Sequence, residues 1–337
     1  MPPLAISPFA ALAIVFGAGA ISIVLIVILR PLLMRYAQAL PNARSSHKTP
    51  TPQGGGIAVI SATLVVTGFA AGFSPTLAAI CLAAILLALL GAADDIRPLD
   101  VLPRLLGQTL AVALILAILP AGLTITSFLP WWLERALLLV AGLWFVNLVN
   151  FMDGIDWITI SEMLPVTGAL ALFAAAGHLP LHGFILALAL FGALLGFAPF
   201  NRPVARLFLG DVGSLPIGLL VGYLLLLLAG AGYVAAAFLL PLYYLMDATL
   251  TLLRRLWNGE KFWQAHRSHF YQRARDRGFS VMQIVVRIFA LNLALALLAA
   301  ASIRQPGFAT QSVALALGIL LTGGLLKHFS RKRPAGI

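Results

Sequence analysis

The chain has 337 residues, 61% of them hydrophobic and only 10% charged, with a formal net charge of +11. A soluble globule of this length could not hide so much apolar surface, so the composition points to an all-α, polytopic integral membrane protein. The single Cys81 lies within an apolar run, which excludes an intrachain disulfide framework and a cysteine metal cluster and argues against redox chemistry.

A bilayer core needs about 20 apolar residues per helix. On that measure eleven spans are expected, at 8–30, 55–73, 75–93, 105–123, 131–149, 160–177, 183–200, 213–230, 232–253, 282–301 and 310–326. The first is too long for a signal-peptide core and has no basic segment before it. Gly and Pro punctuation at 72–75, 130, 177–181 and 230–232 marks tight turns on one side. Segment 120–132 reads either as part of this pattern or as a re-entrant or surface piece. No internal repeat or low-complexity linker divides the chain, so 1–337 is expected to be one membrane-embedded domain.

Eleven spans put the termini on opposite sides. With the N-terminus periplasmic and the C-terminus cytoplasmic, 20 of the 22 Lys and Arg residues fall on the cytoplasmic side, leaving only Arg135 and Arg304 outside. The positive charge is thereby accounted for by topology and anionic headgroups, without nucleic acid, and part of it is free to serve an anionic substrate. Nine of the eleven acids fall on that same face; Glu134 lies outside and Asp247 within a span. Acids and bases on one face suit a metal-bound, multiply anionic ligand, and Mg2+ matches such hard oxygen donors better than zinc does.

The segments on that face carry the chemistry, each with a bland alternative. RSSHKTPTPQGGG, with Arg44, His47 and Lys48, is a flexible basic loop or a phosphate clamp. In GAADDIRPLD the adjacent Asp94 and Asp95 repel unless a cation or proton lies between them; they are a metal ligand or general base, or a solvated helix end. NLVNFMDGIDWI places Asn147 and Asn150 one helical turn apart, followed by Asp153 and Asp156, carboxamides and carboxylates able to read a base or sugar edge and hold a cation. In RLFLGDVGSLPIG, Asp211 opens the eighth span as an N-cap or a ligand at a helix N-terminus. In GEKFWQAHRSHFYQRARDRG, His266 and His269 lie three apart, spaced to flank a phosphate or bind metal.

Taken together and in order, SSHKTPTPQGGG, DDIRPL, NLVNFMDGID, FLGDVGS and AHRSHFYQR resemble the motifs of the polyprenyl-phosphate N-acetylhexosamine-1-phosphate transferases, and the AHRSH loop is similar to that of the O-antigen-initiating branch. The likeness covers about residues 44–280, with 281–337 the last two helices and a basic tail. It implies Mg2+-dependent (or Mn2+-dependent) transfer of a sugar phosphate from a UDP-N-acetylhexosamine to undecaprenyl phosphate, releasing UMP, at the cytoplasmic face of a bacterial inner membrane, for O-antigen or similar glycans. A homodimer is implied by the same likeness. By motif position Asp94, Asp95, Asp153, Asp156, His266 and His269 would be catalytic. Asp211, with Asp95, would hold the metal, while His47, Lys48, Asn147, Asn150, Arg104, Asn201 and Arg267 would bind substrate. Two departures stand out: Trp157 occupies a position where relatives usually have Gly and is expected to narrow the donor pocket, and Gln53 replaces a common Arg. The competing class is a secondary transporter or lipid flippase, for which Asp247 at membrane depth would be the telling residue.

Overall fold

The computed structural model describes residues 6–39, 50–120, 122–126, 128–260 and 267–331. Thirteen helices run in chain order: α1 Pro8–Tyr36, α2 Gly55–Ala71, α3 Pro75–Ile96, α4 Val101–Ala117, α5 Trp131–Met152, α6 Ile158–Ala175, α7 Leu181–Phe197, α8 Asp211–Gly230, α9 Val234–Leu239, α10 Leu242–Trp257, α11 Phe270–Asp276, α12 Val281–Arg304 and α13 Phe308–Phe329. A two-stranded antiparallel patch, β1 Gln38–Ala39 and β2 Thr51–Pro52, pairs Gln38 with Pro52 and Ala39 with Thr51.

Seven of these helices are long and apolar enough to cross a membrane, among the described residues, so the chain is a multi-pass membrane protein. Three apolar helices of 17 residues, α2, α4 and α7, coincide with further expected spans. At 1.5 Å per residue each is about 25 Å long, somewhat short of a typical hydrocarbon core. The expected ninth span is instead two helices, α9 and α10, broken at Leu240 and Pro241. Proline has no N–H to donate and its ring disfavours a continuous helix, and here it becomes the N-cap of α10. The break frees α10 to be amphipathic, with Arg254 and Arg255 in its last turn.

Helices α6, α7 and α8 form the centre of the bundle and are buried on nearly every side, whereas α1, α12 and α13 expose apolar faces suited to lipid. Helix α7 packs against α1, α2 and α6, and α8 against α2, α3 and α5. Without a hydrophobic drive between helices in lipid, small residues must let backbones approach for dispersion contacts to hold the bundle. A Cβ added at Gly91 of α3 would lie 2.3 Å from the Asp211 backbone, and one at Gly56 of α2 would lie 2.2 Å from the Gly213 Cα. These contacts bring the C-terminus of α3, the N-terminus of α2 and the N-terminus of α8 to one end of the bundle.

Of the segment 120–132, read from sequence as part of the span pattern or as a re-entrant or surface piece, the described residues lie at the opposite end. Its backbone is held by Glu134, whose Oε1 accepts from the N–H groups of Ile125 and Thr126, both at 2.8 Å, and by Arg135, whose Nη2 donates to the Leu123 carbonyl at 3.1 Å. The fold predicts that Gly91→Ala lowers the thermal midpoint in detergent, by the equivalent of about 1–3 kcal/mol of overpacking. Gly68→Ala, where no neighbouring atom lies within 4 Å, should not lower it. Equal behaviour of the two variants would refute the close α3–α8 contact.

Candidate functional site

The site is built from helix ends. The last turn of α3 carries Asp94 and Asp95, and Asp95 reaches across to α8: its Oδ1 accepts from Asp211 N–H at 2.9 Å and its Oδ2 from Val212 N–H at 3.1 Å. Helix α8 begins after Gly210, which offers no side-chain cap, so the carboxylate of a neighbouring helix satisfies amides that would otherwise lack partners and complements the helix dipole. Gly210 makes this possible, with φ of 77° and an absent Cβ that would sit 2.5 Å from Asp95 Oδ2. Asp94 accepts from Leu99 N–H at 2.6 Å and forms an ion pair with Arg104 Nη1 at 3.1 Å.

From the end of α5, Asn150 Nδ2 donates to Asp211 Oδ1 at 2.7 Å and to Ser214 Oγ at 2.9 Å. Asp153 caps the C-terminus of α5 and accepts a hydrogen bond from the Thr159 hydroxyl at the start of α6. Burial pushes the Asp153 carboxyl up to about 6; the nearby charges of Asp95 and Asp156 push the same way, and the Thr159 bond opposes them. Asp156 Oδ2 accepts from Ala205 N–H at 3.1 Å, tying the α5–α6 loop to the α7–α8 loop.

Of these groups Asp95, Asn150, Asp153, Asp156 and Asp211 open onto one cavity of about 530 Å³, whose walls also include Gln53, Asn201, Gln272 and Arg275, whereas Asp94 and Arg104 are not among its lining residues. The chain before α2 forms one side: Phe208 N–H donates to Pro52 O at 2.9 Å, and Gly55 and Gly56 N–H groups donate to Phe208 O and Leu209 O at 2.9 and 2.8 Å. Those two amides of the triple glycine therefore bind protein carbonyls rather than phosphate. Gln53 Nε2 donates to the Asp95 carbonyl at 2.8 Å. The donor set is hard oxygen in excess over local positive charge, which fits Mg2+. No group of three metal-ligating side chains is gathered among the described residues, but Mg2+ commonly takes only one or two carboxylates and completes its shell with phosphates and water.

The far wall is α11, fixed by a buried carboxylate. Asp247 Oδ1 accepts from Phe270 N–H at 2.9 Å and approaches His269 Nδ1 at 3.2 Å, while Oδ2 accepts from Tyr271 N–H at 3.2 Å and Tyr243 hydroxyl at 3.1 Å. Thr251, one of the partners its sequence position suggests, also donates to it, at 3.4 Å. Because the ninth span is broken, Asp247 faces this end of the bundle and works as an anchor, which removes the residue on which a transporter reading rested. Tyr271 also donates, to Phe151 O at 3.3 Å, joining α11 to the end of α5.

Several expected site residues have other work. Asn147 faces α4, exchanging hydrogen bonds with Gln108 at 2.7 and 3.2 Å, and does not line the cavity. Asn201 lines the cavity as expected, but its carboxamide accepts from Trp157 N–H at 2.8 Å and donates to Leu207 O at 3.0 Å, so both of its ends bind loop backbone. Arg104 pairs with Asp94, and Arg267 with Asp276 at 3.0 Å. His269 is buried against Asp247, 2% exposed, and is not part of the cavity wall. Asp95 lines the cavity, and its two oxygens also accept the α8 amides, which gives it a positioning role. His47, Lys48 and His266 lie outside the described residues. Trp157 is not among the described residues that line the cavity: it adopts φ of 63° before α6, a conformation that glycine takes most easily, and its Nε1 donates to Ala198 O at 2.6 Å. Gln272 and Arg275 are cavity residues that the motifs did not single out; nothing in an arginine-rich loop distinguishes Arg275 until α11 is oriented.

The fold and site define a helical membrane bundle with a carboxylate-lined cavity at one end, and comparison with known proteins narrows the class. The family model described as glycosyl transferase family 4 matches residues 77–229. The chain is 30% identical over 304 residues to the decaprenyl-phosphate N-acetylglucosaminephosphotransferase of Mycolicibacterium smegmatis, covering 77% of this chain and 74% of that one. It is 28% identical over 293 residues to a probable undecaprenyl-phosphate N-acetylglucosaminyl 1-phosphate transferase of Bacillus subtilis, covering 81% and 80%. Over 235 residues it is 30% identical to the phospho-N-acetylmuramoyl-pentapeptide-transferase of Lactiplantibacillus plantarum, covering 61% and 73%. The chain belongs to glycosyl transferase family 4, among the polyprenyl-phosphate N-acetylhexosamine-1-phosphate transferases.

Two outcomes follow from this geometry. Asp247→Ala strands several buried donors, each costing about 1–3 kcal/mol, and should expose α11 to tryptic cleavage at Arg273 and Arg275; unchanged digestion would contradict the anchor. For Asp153 the folded carboxyl titrates above its ordinary 3.8, so its stabilising contribution is complete below that value and is lost as pH rises through about 6. In EDTA the thermal margin of Asp153→Asn over wild type should therefore widen between pH 5 and pH 7, and a constant margin would show that Asp153 is not desolvated.

Proposed function

We propose that this protein transfers N-acetylhexosamine 1-phosphate from a UDP-sugar, UDP-GlcNAc or a related UDP-N-acetyl-deoxyhexosamine, to undecaprenyl phosphate at the cytoplasmic face of a bacterial inner membrane. The observation that carries this is the convergence of acids from the ends of α3, α5 and α8 on one cavity at the bundle end, in a chain whose relatives bear names of that reaction. The distribution of Lys and Arg supports the cytoplasmic assignment of that end.

In this reading an oxygen of the lipid phosphate attacks the β-phosphorus of the donor, the bond from that phosphorus to the bridging oxygen breaks, and UMP leaves with that oxygen. The lipid phosphate is already ionised near neutral pH, so positioning and charge neutralisation matter more than a base. Asp94, held by Arg104 and Leu99 N–H, orients the acceptor side. Asn150 fixes Asp211, and Asp153 and Asp156 line the nucleotide-sugar wall. Asp211 and Asp153 would hold Mg2+, with Mn2+ as a substitute, and the cation when bound supplies neutralisation of the diphosphate. The product would serve as the first lipid-linked intermediate of a cell-surface glycan such as O-antigen.

Purified protein given undecaprenyl phosphate, Mg2+ and a panel of UDP-sugars should release UMP, and EDTA should abolish the release. Asp211→Asn should lower turnover by roughly 100-fold, the scale of one preorganised electrostatic contact. Folded protein that releases no UMP from any donor would sink this function, and wild-type turnover in Asp211→Asn would sink its metal assignment.

A further inference from the structure

Helix α11 meets the core through Tyr271 and Ala274, both fully buried, and that face is locked by Asp247 and by the Tyr271 bond to Phe151 O. Residues three apart share a helix face, so the lock leaves Gln272 and Arg275 together on the adjoining face, where both line the cavity. Gln272 Oε1 accepts from His269 N–H at 3.2 Å, which holds it as part of the α11 cap. Arg275 is different. It is half-buried and, among the described residues, its guanidinium has no ion-pair partner. Of the nearby arginines, Arg255 is committed to Glu260, Arg267 to Asp276, Arg254 to Ser268 O and Arg277 to Phe329 O, while Arg273 on the same helix does not line the cavity.

Among the described residues that line the cavity, Arg275 is the one cation, and its walls also carry four carboxylates, Asp95, Asp153, Asp156 and Asp211. A phosphate-bearing ligand entering such a cavity is repelled by the acids, and a guanidinium delivered from a separate helix offers a planar, two-pronged contact for a phosphate oxyanion. We propose that Arg275 is a specificity-determining residue of this site that binds a phosphate group of a substrate, either the diphosphate of the nucleotide sugar or the phosphate of the polyprenyl acceptor. The proposal rests on the transferase reading above and adds to it a residue outside the motifs that carry the family likeness.

The test uses full-length protein in detergent, wild type against Arg275→Gln and Arg275→Lys. KM is measured separately for UDP-GlcNAc and for undecaprenyl phosphate, and calorimetric titrations with UDP, undecaprenyl phosphate and uridine read binding without turnover. Arg275→Gln should raise KM for one phosphate-bearing substrate about tenfold with kcat within twofold, the size of a lost charged hydrogen bond, and Arg275→Lys should recover part of it. A rise confined to the donor, with weakened UDP binding, assigns the diphosphate; one confined to the acceptor assigns the lipid phosphate. Uridine binding should not change. Unchanged binding of both phosphate ligands, or equal weakening of uridine, would overturn the assignment. A wild-type protein that binds UDP but releases no UMP would instead refute the transferase reading, with the calorimetric comparison still deciding Arg275.

Discussion

The arrangement of this molecule depends on one carboxylate lying across the start of a helix. Asp95 leaves α3 and accepts the first two amides of α8, so the end of one helix and the beginning of another are joined by two hydrogen bonds at 2.9 and 3.1 Å. In a bundle whose helices are apolar nearly all round, sliding two helices along each other changes little in apolar contact, whereas separating a carboxylate from buried amides leaves both without partners. The polar contact fixes the axial register together with the close backbone approaches at Gly91 and Gly56. Once it is set, Asp211 lies against Asn150, and the acids of three helix ends face one cavity.

Asp247 repeats the device at the opposite wall. There a carboxylate buried beside Tyr243 gathers the amides of Phe270 and Tyr271 and the ring of His269, holding a seven-residue helix that could not persist by its own propensity. Asn147 with Gln108 and Asn201 with the Trp157 and Leu207 backbone are further cases. Polar residues near the site thus fix other segments, and several of them, Asp95, Asp156, Gln53 and Asn201, also line the cavity.

Much of the fold was legible in the sequence. Ten of the expected spans coincide with apolar helices, because a run of about 20 apolar residues has few other ways to satisfy its backbone in lipid. The break at Pro241 was the exception, since hydropathy alone does not register a missing N–H. Site residues were less legible. Asp153, Asp156 and Asp211 line the cavity that their motifs suggested, while Asn147, one turn from Asn150 in the same motif, faces the other way. A helix advances about 100° per residue, so a three-residue step leaves two side chains only roughly aligned, and the neighbour chosen by each, Gln108 or Asp211, belongs to another helix.

The sequence by itself determined the class: its composition requires membrane helices, and its ordered acidic motifs carry the family. Tertiary structure alone decided which members of those motifs bind protein and which face the cavity, and that Arg275 stands among the latter. The reason is physical. Hydrophobic pattern and chain order are properties of a segment, whereas a hydrogen-bond partner or an open face is settled only when a second segment, such as α8 for Asp95 or α10 for α11, arrives beside it.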